Sequence, residues 1–120
     1  MKIFDVIIIG GGPIGLACGL EAKKKKLNYL ILEKGPLVNS LYNYPANMTF
    51  FSTSEKLEID QIPFISNNAK PTKQEALEYY RRIATSNQLN IHLFEKVNQV
   101  EKNENHFHIE SSKSSYLAKN

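Results

Sequence analysis

The stretch Asp5–Gly35, DVIIIGGGPIGLACGLEAKKKKLNYLILEKG, decides how the rest of the chain is read. Phe4 to Ile9 is a short, β-branched apolar run stopped by glycine, the pattern of a buried strand. Pro13 to Lys26 reads as a helix. It opens on proline, and its first turns, IGLACGL, are small and apolar, as in a helix packed close to a sheet. Its basic end, Lys23 to Lys26, complements the negative end of the helix dipole. Tyr29 to Leu32 is a second buried strand. Strand, helix and strand in about 30 residues form a crossover unit, and such units are nearly always parallel and right-handed.

Between the first strand and the helix, Gly10, Gly12 and Gly15 spell G-x-G-x-x-G. Alone, the pattern is weak. After a strand, before a helix and with an acid closing the next strand, it carries weight. Gly10 permits the tight turn, Gly12 lets the backbone approach a pyrophosphate, and Gly15 lets the helix lie close to the strand. The free N–H groups of the helix start, with the positive end of its dipole, then face the phosphates. At the end of the second strand, the Glu33 carboxylate is placed to accept from both ribose hydroxyls of an adenosine. A 2′-phosphate would be repelled there, which disfavours NADP at this turn. The alternative, a glycine turn that merely links strand to helix, leaves the acid without a purpose. The turn does not separate FAD from NAD. Gly19, which extends the pattern to G-x-G-x-x-G-x-x-x-G, leans to FAD, and so does the order of elements after Glu33.

That order begins with a long loop from Glu33 to Lys70, rich in turn formers and aromatics, read as ordered with short helical pieces. Loops of this length inside a compact domain are usually functional. Pro71 precedes a helix from Thr72 to Gln88, where Thr72 and Glu75 form a capping box and Ala76, Tyr80, Ile83 and Ala84 make the apolar face. Ile91 to Phe94 is a third strand. Val97–Glu101, Phe107–Ser111 and Tyr116–Ala118, separated by the turns KNEN and SSKS, read as a β-meander. A plain NAD domain tends to continue with repeated β-α units instead.

Composition narrows the function classes. The 120 residues suit one domain, and 42% hydrophobic content is enough for a core. A net charge of +3 is too mild to argue for nucleic acid, and Lys23 to Lys26 lacks interleaved aromatics, so it reads as a solvated helix end. The single cysteine, Cys18, excludes an intramolecular disulfide, a CxxC centre and a cysteine-rich zinc site, and points to a reducing compartment, the cytoplasm. The start is not read as a signal peptide, because its apolar run is short and followed by glycines. No apolar stretch approaches the roughly 20 residues of a membrane helix. His92, His106 and His108 are read as exposed residues, with no acid or cysteine at metal-binding spacing, so no metal is expected. Ser52, Thr53 and Ser54 have no His and Asp in a nucleophile arrangement, and no catalytic residue is assigned. They cap a loop or hydrogen-bond a flavin.

EKGPLVNSLYNYPANMTFFSTSEKLEIDQIPF together with KPTKQEALEYYRR resembles the N-terminal part of the YpdA-type flavoproteins, thioredoxin-reductase-like enzymes described as bacillithiol disulfide reductases. The resemblance spans nearly all of the chain, and YPANMTFFSTSEKLEI is far more specific than the glycine turn. It implies a Rossmann-like α/β FAD-binding domain: parallel sheet, helices and β-meander in three layers. It implies FAD and NADPH as cofactors and a small-molecule disulfide as substrate, with no nucleic-acid or membrane partner and room for a homo-oligomer. By position, Gly10, Gly12, Pro13, Ile14 and Gly15 would contact the pyrophosphate. Glu33 and Lys34 would flank the adenosine ribose, and Val97 would hold adenine through its backbone. Tyr42, Asn43, Ser52 and Thr53 would lie near the flavin or its ribityl chain.

The sequence departs from that family in two ways. Ile14 stands where members often carry cysteine, as in GPCG, and Cys18, one helical turn further on, is expected to face a packed interior as a small hydrophobe. The ATG strand, a second glycine motif for NADPH and the late GD segment are not among these residues. Residues 1–120 are therefore read as the N-terminal part of an FAD-binding domain, with the NADPH domain and the C-terminal FAD segment absent. The expected function is an FAD-dependent, NAD(P)H-using disulfide reductase. A flavin monooxygenase and a non-catalytic dinucleotide-binding module are the alternatives.

Overall fold

A computed structural model describes residues 3–45, 48–50, 53–66 and 70–120. At its centre is a parallel sheet of β2 (Val6–Ile9), β3 (Tyr29–Leu32) and β4 (Ile91–His92), in the order β2-β3-β4. Strand β3 explains the layering. All four of its residues are buried, as expected for a continuous apolar run in a parallel sheet covered on both faces. Tyr29 and Ile31 face α1 (Pro13–Lys24), where they pack with Ala22. Leu30 and Leu32 face the other way, onto Ile109 and Ala118.

Ile109 and Ala118 belong to the meander, built from β5 (Val97–Lys102), β6 (Phe107–Ser111) and β7 (Ser115–Ala118). It forms the second sheet, in the order β1-β7-β6-β5, where β1 is Ile3–Phe4. Helix, parallel sheet and meander thus make the expected three layers. The helical layer is α1 against α4 (Lys73–Ser86), around Leu16, Leu20, Ala76 and Ile83. Gly19 brings α1 close: a Cβ there would come within 2.7 Å of Ile31 Cδ1.

The run Phe4–Ile9 is not one strand. Asp5 interrupts it. Asp5 N donates to Asn28 O at 2.8 Å, and Asn28 N donates back to Asp5 Oδ2 at 2.8 Å. These bonds turn the chain, so β1 joins the meander, parallel to β7, while β2 joins the central sheet. The same bond from Asn28 holds the Asp5 carboxyl below its ordinary value. The third strand is also shorter than its apolar run, because Phe94 sits at φ 55° and its N–H donates to Gly35 O.

Between β3 and α4 the described residues of the loop carry two short helices, α2 (Asn39–Tyr42) and α3 (Ser54–Leu57). Two tyrosines of α4 hold its distal part. Tyr79 OH donates to Ile62 O at 2.6 Å while its ring stacks on Phe64, centroids 4.5 Å apart, and Tyr80 OH donates to Leu57 O at 2.7 Å. Tyr79 is therefore buried along with Tyr80, whose hydroxyl burial pushes up to about 12. Leu77 and Tyr79 extend the apolar face of α4 beyond the four residues expected.

The capping box of α4 is formed. Glu75 N donates to Thr72 Oγ1 at 3.2 Å, and Thr72 N donates to Glu75 Oε1 at 3.0 Å. Thr72→Ala removes the first of these and should lower stability by about 1 kcal/mol. Denaturant unfolding measures it; an unchanged midpoint would mean that the box contributes nothing.

Candidate functional site

The glycine turn lies at the carboxyl ends of β2 and β3. Gly10 N donates to Leu32 O at 2.8 Å, and Gly10 adopts φ 111°, a conformation that side-chain-bearing residues rarely take. Gly15 faces it so closely that a Cβ there would lie 1.9 Å from Gly10 O. Gly12 differs: a Cβ at Gly12 would meet no atom within 4 Å, so its neighbourhood is open space. Gly12 is also the N-cap of α1, and it supplies no side-chain acceptor. The first-turn N–H groups of Ile14 and Gly15 have no intrahelical partner by geometry, and no acid sits in that turn. An uncapped helix start beside open space suits an anion.

In front of this turn is a cavity of about 480 Å³, within the range of roughly 300–1,000 Å³ for small-molecule clefts. Gly10, Gly12, Glu33, Lys34 and Val97 line it, so five of the residues singled out in the sequence meet here. Glu33 is 5% exposed. Its Oε1 accepts from Gly11 N at 2.8 Å and its Oε2 from Gly35 N at 2.7 Å. The backbone therefore fixes the carboxylate, and each oxygen keeps a lone pair for a further donor.

The remaining candidates fall elsewhere. Gly15 serves the turn through its contact with Gly10. Pro13 and Ile14 line a separate apolar hollow with Ala17, Cys18, Glu21 and Ile59, and the Ile14 side chain is 81% exposed. Tyr42 and Asn43 sit at the end of α2, both exposed. Asn43 Nδ2 donates to Asn39 O at 2.9 Å, and Lys73 Nζ lies 5.6 Å from the Tyr42 ring centroid. Thr53 is the N-cap of α3, away from the cavity wall. Ser52 lies outside the described residues.

Cys18 does not face a packed interior; it is exposed. The helix forms as expected, but its inward stripe is Leu16, Gly19, Leu20 and Ala22, while Ile14, Cys18 and Glu21 lie on another stripe. His106 and His108 are half-buried rather than exposed, and an acid does approach His92: its Nδ1 lies 3.1 Å from Glu95 Oε1. Among the described residues no three such side chains cluster as metal ligands.

The cavity also holds residues that sequence reasoning passed over: Asn39, Ser40, Lys96, Ile9 and Leu32. Asn39 and Ser40 arrive because Val38 N donates to Gly11 O at 2.9 Å, bringing the start of α2 against the glycine turn. Val38 is fully buried and β-branched, yet sits at φ 48°, a strained conformation that its tight surroundings impose. Lys96 was signalled only by its neighbour, Val97.

Residues 7–120 match the family model described as pyridine nucleotide-disulphide oxidoreductase. The chain belongs to that family. Pyridine nucleotide-disulphide oxidoreductases use a flavin and a nicotinamide nucleotide, and a glycine turn facing a cavity lined by Glu33, Lys34 and Lys96 fits a dinucleotide. Bacilliredoxin reductase Bdr of Bacillus subtilis is 48% identical over 111 residues, covering 92% of this chain and 34% of that protein. The solved structure of bacillithiol disulfide reductase Bdr (YpdA) from Staphylococcus aureus matches with a TM-score of 0.95 at 45% identity, covering 99% of this chain and 37% of that one. A flavin-containing monooxygenase from Stenotrophomonas maltophilia matches with a TM-score of 0.93 at 23% identity, a likeness of fold alone. The chain spans about a third of the length of these relatives. No helix among the described residues is long and apolar enough to cross a membrane.

Proposed function

We propose that this chain is the FAD-holding part of an NADPH-using flavoenzyme that reduces a low-molecular-weight disulfide of the bacillithiol type, in the cytoplasm. One observation carries the reading. An open Gly12 at an uncapped helix start faces, across one cavity, a buried carboxylate fixed by two backbone N–H groups. The pyrophosphate of FAD would meet Gly10, Gly12 and the N–H groups of Ile14 and Gly15. The ribose would meet Glu33 and Lys34, and adenine the backbone at Val97. Tyr42, Asn43 and Thr53 would lie toward the flavin. When bound, the flavin supplies the redox chemistry, taking hydride from the nicotinamide and passing electrons to the disulfide. These residues hold and orient it. The NADPH site lies outside them. The identity shared with the Bdr proteins favours a disulfide substrate over the monooxygenase alternative.

Glu33→Gln tests the site. The amide keeps the shape of the carboxylate but loses its charge and turns an NH₂ toward one of two N–H donors. Affinity of the apo full-length protein for FAD should fall by about 1–3 kcal/mol. Titration with FAD measures it, and unchanged affinity removes Glu33 from the ribose. NADPH oxidation that needs bacillithiol disulfide supports the reductase; oxidation that needs only oxygen and an organic substrate supports the monooxygenase.

A further inference from the structure

One wall of the cavity is carried by a buried acid that none of the roles above employs. Glu95 is 3% exposed. Its Oε2 accepts from Ser111 Oγ at 2.5 Å and from Tyr116 OH at 2.6 Å, and His92 Nδ1 lies 3.1 Å from its Oε1. Burial pushes the carboxyl up, but these three groups outweigh it and hold it below the ordinary value, so it is charged at neutral pH. The link from His92 to Val97 is short and contains Phe94 in a strained left-handed conformation.

The backbone grips this link on two sides. Glu95 N donates to Glu33 O at 2.9 Å, and Glu33 N donates to His92 O at 3.0 Å, which ties the link to the strand end that carries the ribose acid. On the other side, Lys96 N donates to Ser112 Oγ at 3.1 Å and Ser112 N donates to Lys96 O at 2.8 Å, which ties it to the β6–β7 turn. Glu95 sits between the two grips. Lys96 and Val97, the next residues, line the cavity.

We propose that Glu95 is a positioning residue for the dinucleotide: its carboxylate fastens the link bearing Lys96 and Val97 to the meander and so sets the adenosine end of the cavity. This rests on the dinucleotide reading above. Without the carboxylate, Ser111 and Tyr116 lose their shared acceptor, and the link that bears Lys96 and Val97 loses a fastening to the meander. Small misplacements of a supporting wall are costly to binding.

The test compares Glu95→Ala, Glu95→Gln and Thr72→Ala in the full-length protein. FAD titration of the apo protein, competition by ADP and thermal unfolding are the readouts. Glu95→Ala should weaken both FAD and ADP by about tenfold, since ADP carries the adenosine and diphosphate of FAD without its flavin half. Glu95→Gln should restore most of that, because an amide oxygen in the place of Oε2 still accepts from both hydroxyls, and the NH₂ then faces His92 Nδ1. Thr72→Ala, on α4, should lower the unfolding temperature and leave both affinities alone. If Glu95→Ala does not fold, Tyr116→Phe and Ser111→Ala each remove one donor and should each weaken ADP. Affinities for FAD and ADP in Glu95→Ala, or in these two, that match those of Thr72→Ala overturn the positioning role. If the parent protein binds neither FAD nor ADP, the dinucleotide reading itself falls, whereas parent-like affinities at Glu95 alone leave that reading standing.

Discussion

Gly12→Val should yield a folded protein that carries no flavin. The two halves of that expectation have separate causes. Gly12 adopts φ −83° and ψ −173°, extended backbone that any residue takes, and a Cβ there meets nothing within 4 Å. Valine is a poorer N-cap than glycine, but it also restricts the unfolded chain; the two effects oppose each other, each of order 0.5–1 kcal/mol. The unfolding temperature of the apo protein should therefore barely move. The isopropyl group, however, would fill the space before the uncapped start of α1, where the diphosphate is proposed to lie. Absorbance of the purified protein in the flavin region measures the outcome. Normal flavin content in the variant would take the diphosphate away from this turn.

Gly15→Ala should do the reverse and damage the fold itself. Its Cβ would stand 1.9 Å from Gly10 O, a backbone atom with no rotamer to escape into. Gly10 cannot yield cheaply, because its N–H is bonded to Leu32 O and its φ of 111° is already confined to glycine. Either the turn opens or α1 lifts from the sheet, and with it the contacts of Leu16 and Leu20. Changes of this kind cost upward of about 4 kcal/mol, a large share of a stability of roughly 5–15 kcal/mol. Thermal unfolding should show a collapse in midpoint or no cooperative transition. A midpoint within a degree of the parent would mean that the turn is far softer than its geometry implies.

The contrast between two glycines three residues apart was legible in the sequence only as a motif. The pattern assigned Gly15 to packing and Gly12 to the ligand; a Cβ at Gly15 would collide with Gly10 O, and one at Gly12 would meet only open space. Strand β3 and the capping box were legible because each depends on neighbours in sequence. Other features depend on contacts far along the chain. Asp5 reads as the edge of a strand until Asn28 is seen to bond it from both sides. Asn39 and Ser40 reach the cavity only because Val38 is forced against Gly11. The orientation of Cys18 was hidden for a different reason: the start of α1 is apolar or small all round, so helical periodicity names no inward face. Glu95 belongs to no sequence motif, and its three partners, Ser111, Tyr116 and His92, come from two separate stretches of sequence.

The break at Asp5 bears on how the chain reaches its folded state. Ile3 and Phe4 pair with Leu117 and Ala118, Lys119 N donates to Phe4 O, and Ile7 N donates to Asn120 O. Ile3 and Phe4 thus thread beside residues that follow them by 114 positions in sequence. Hairpins β5–β6 and β6–β7 close over short turns and can assemble early, but the outer edge of β7 has no neighbour until β1 docks. Closing so long a loop is entropically expensive, so this docking should come late. Until then β7 offers its unpaired N–H and C=O groups to any passing strand, including that of another nascent copy. Because β1 and β2 meet at Asp5, the late step also joins the two sheets, and amide exchange at Leu117 and at Ile7 should report one shared opening rather than two.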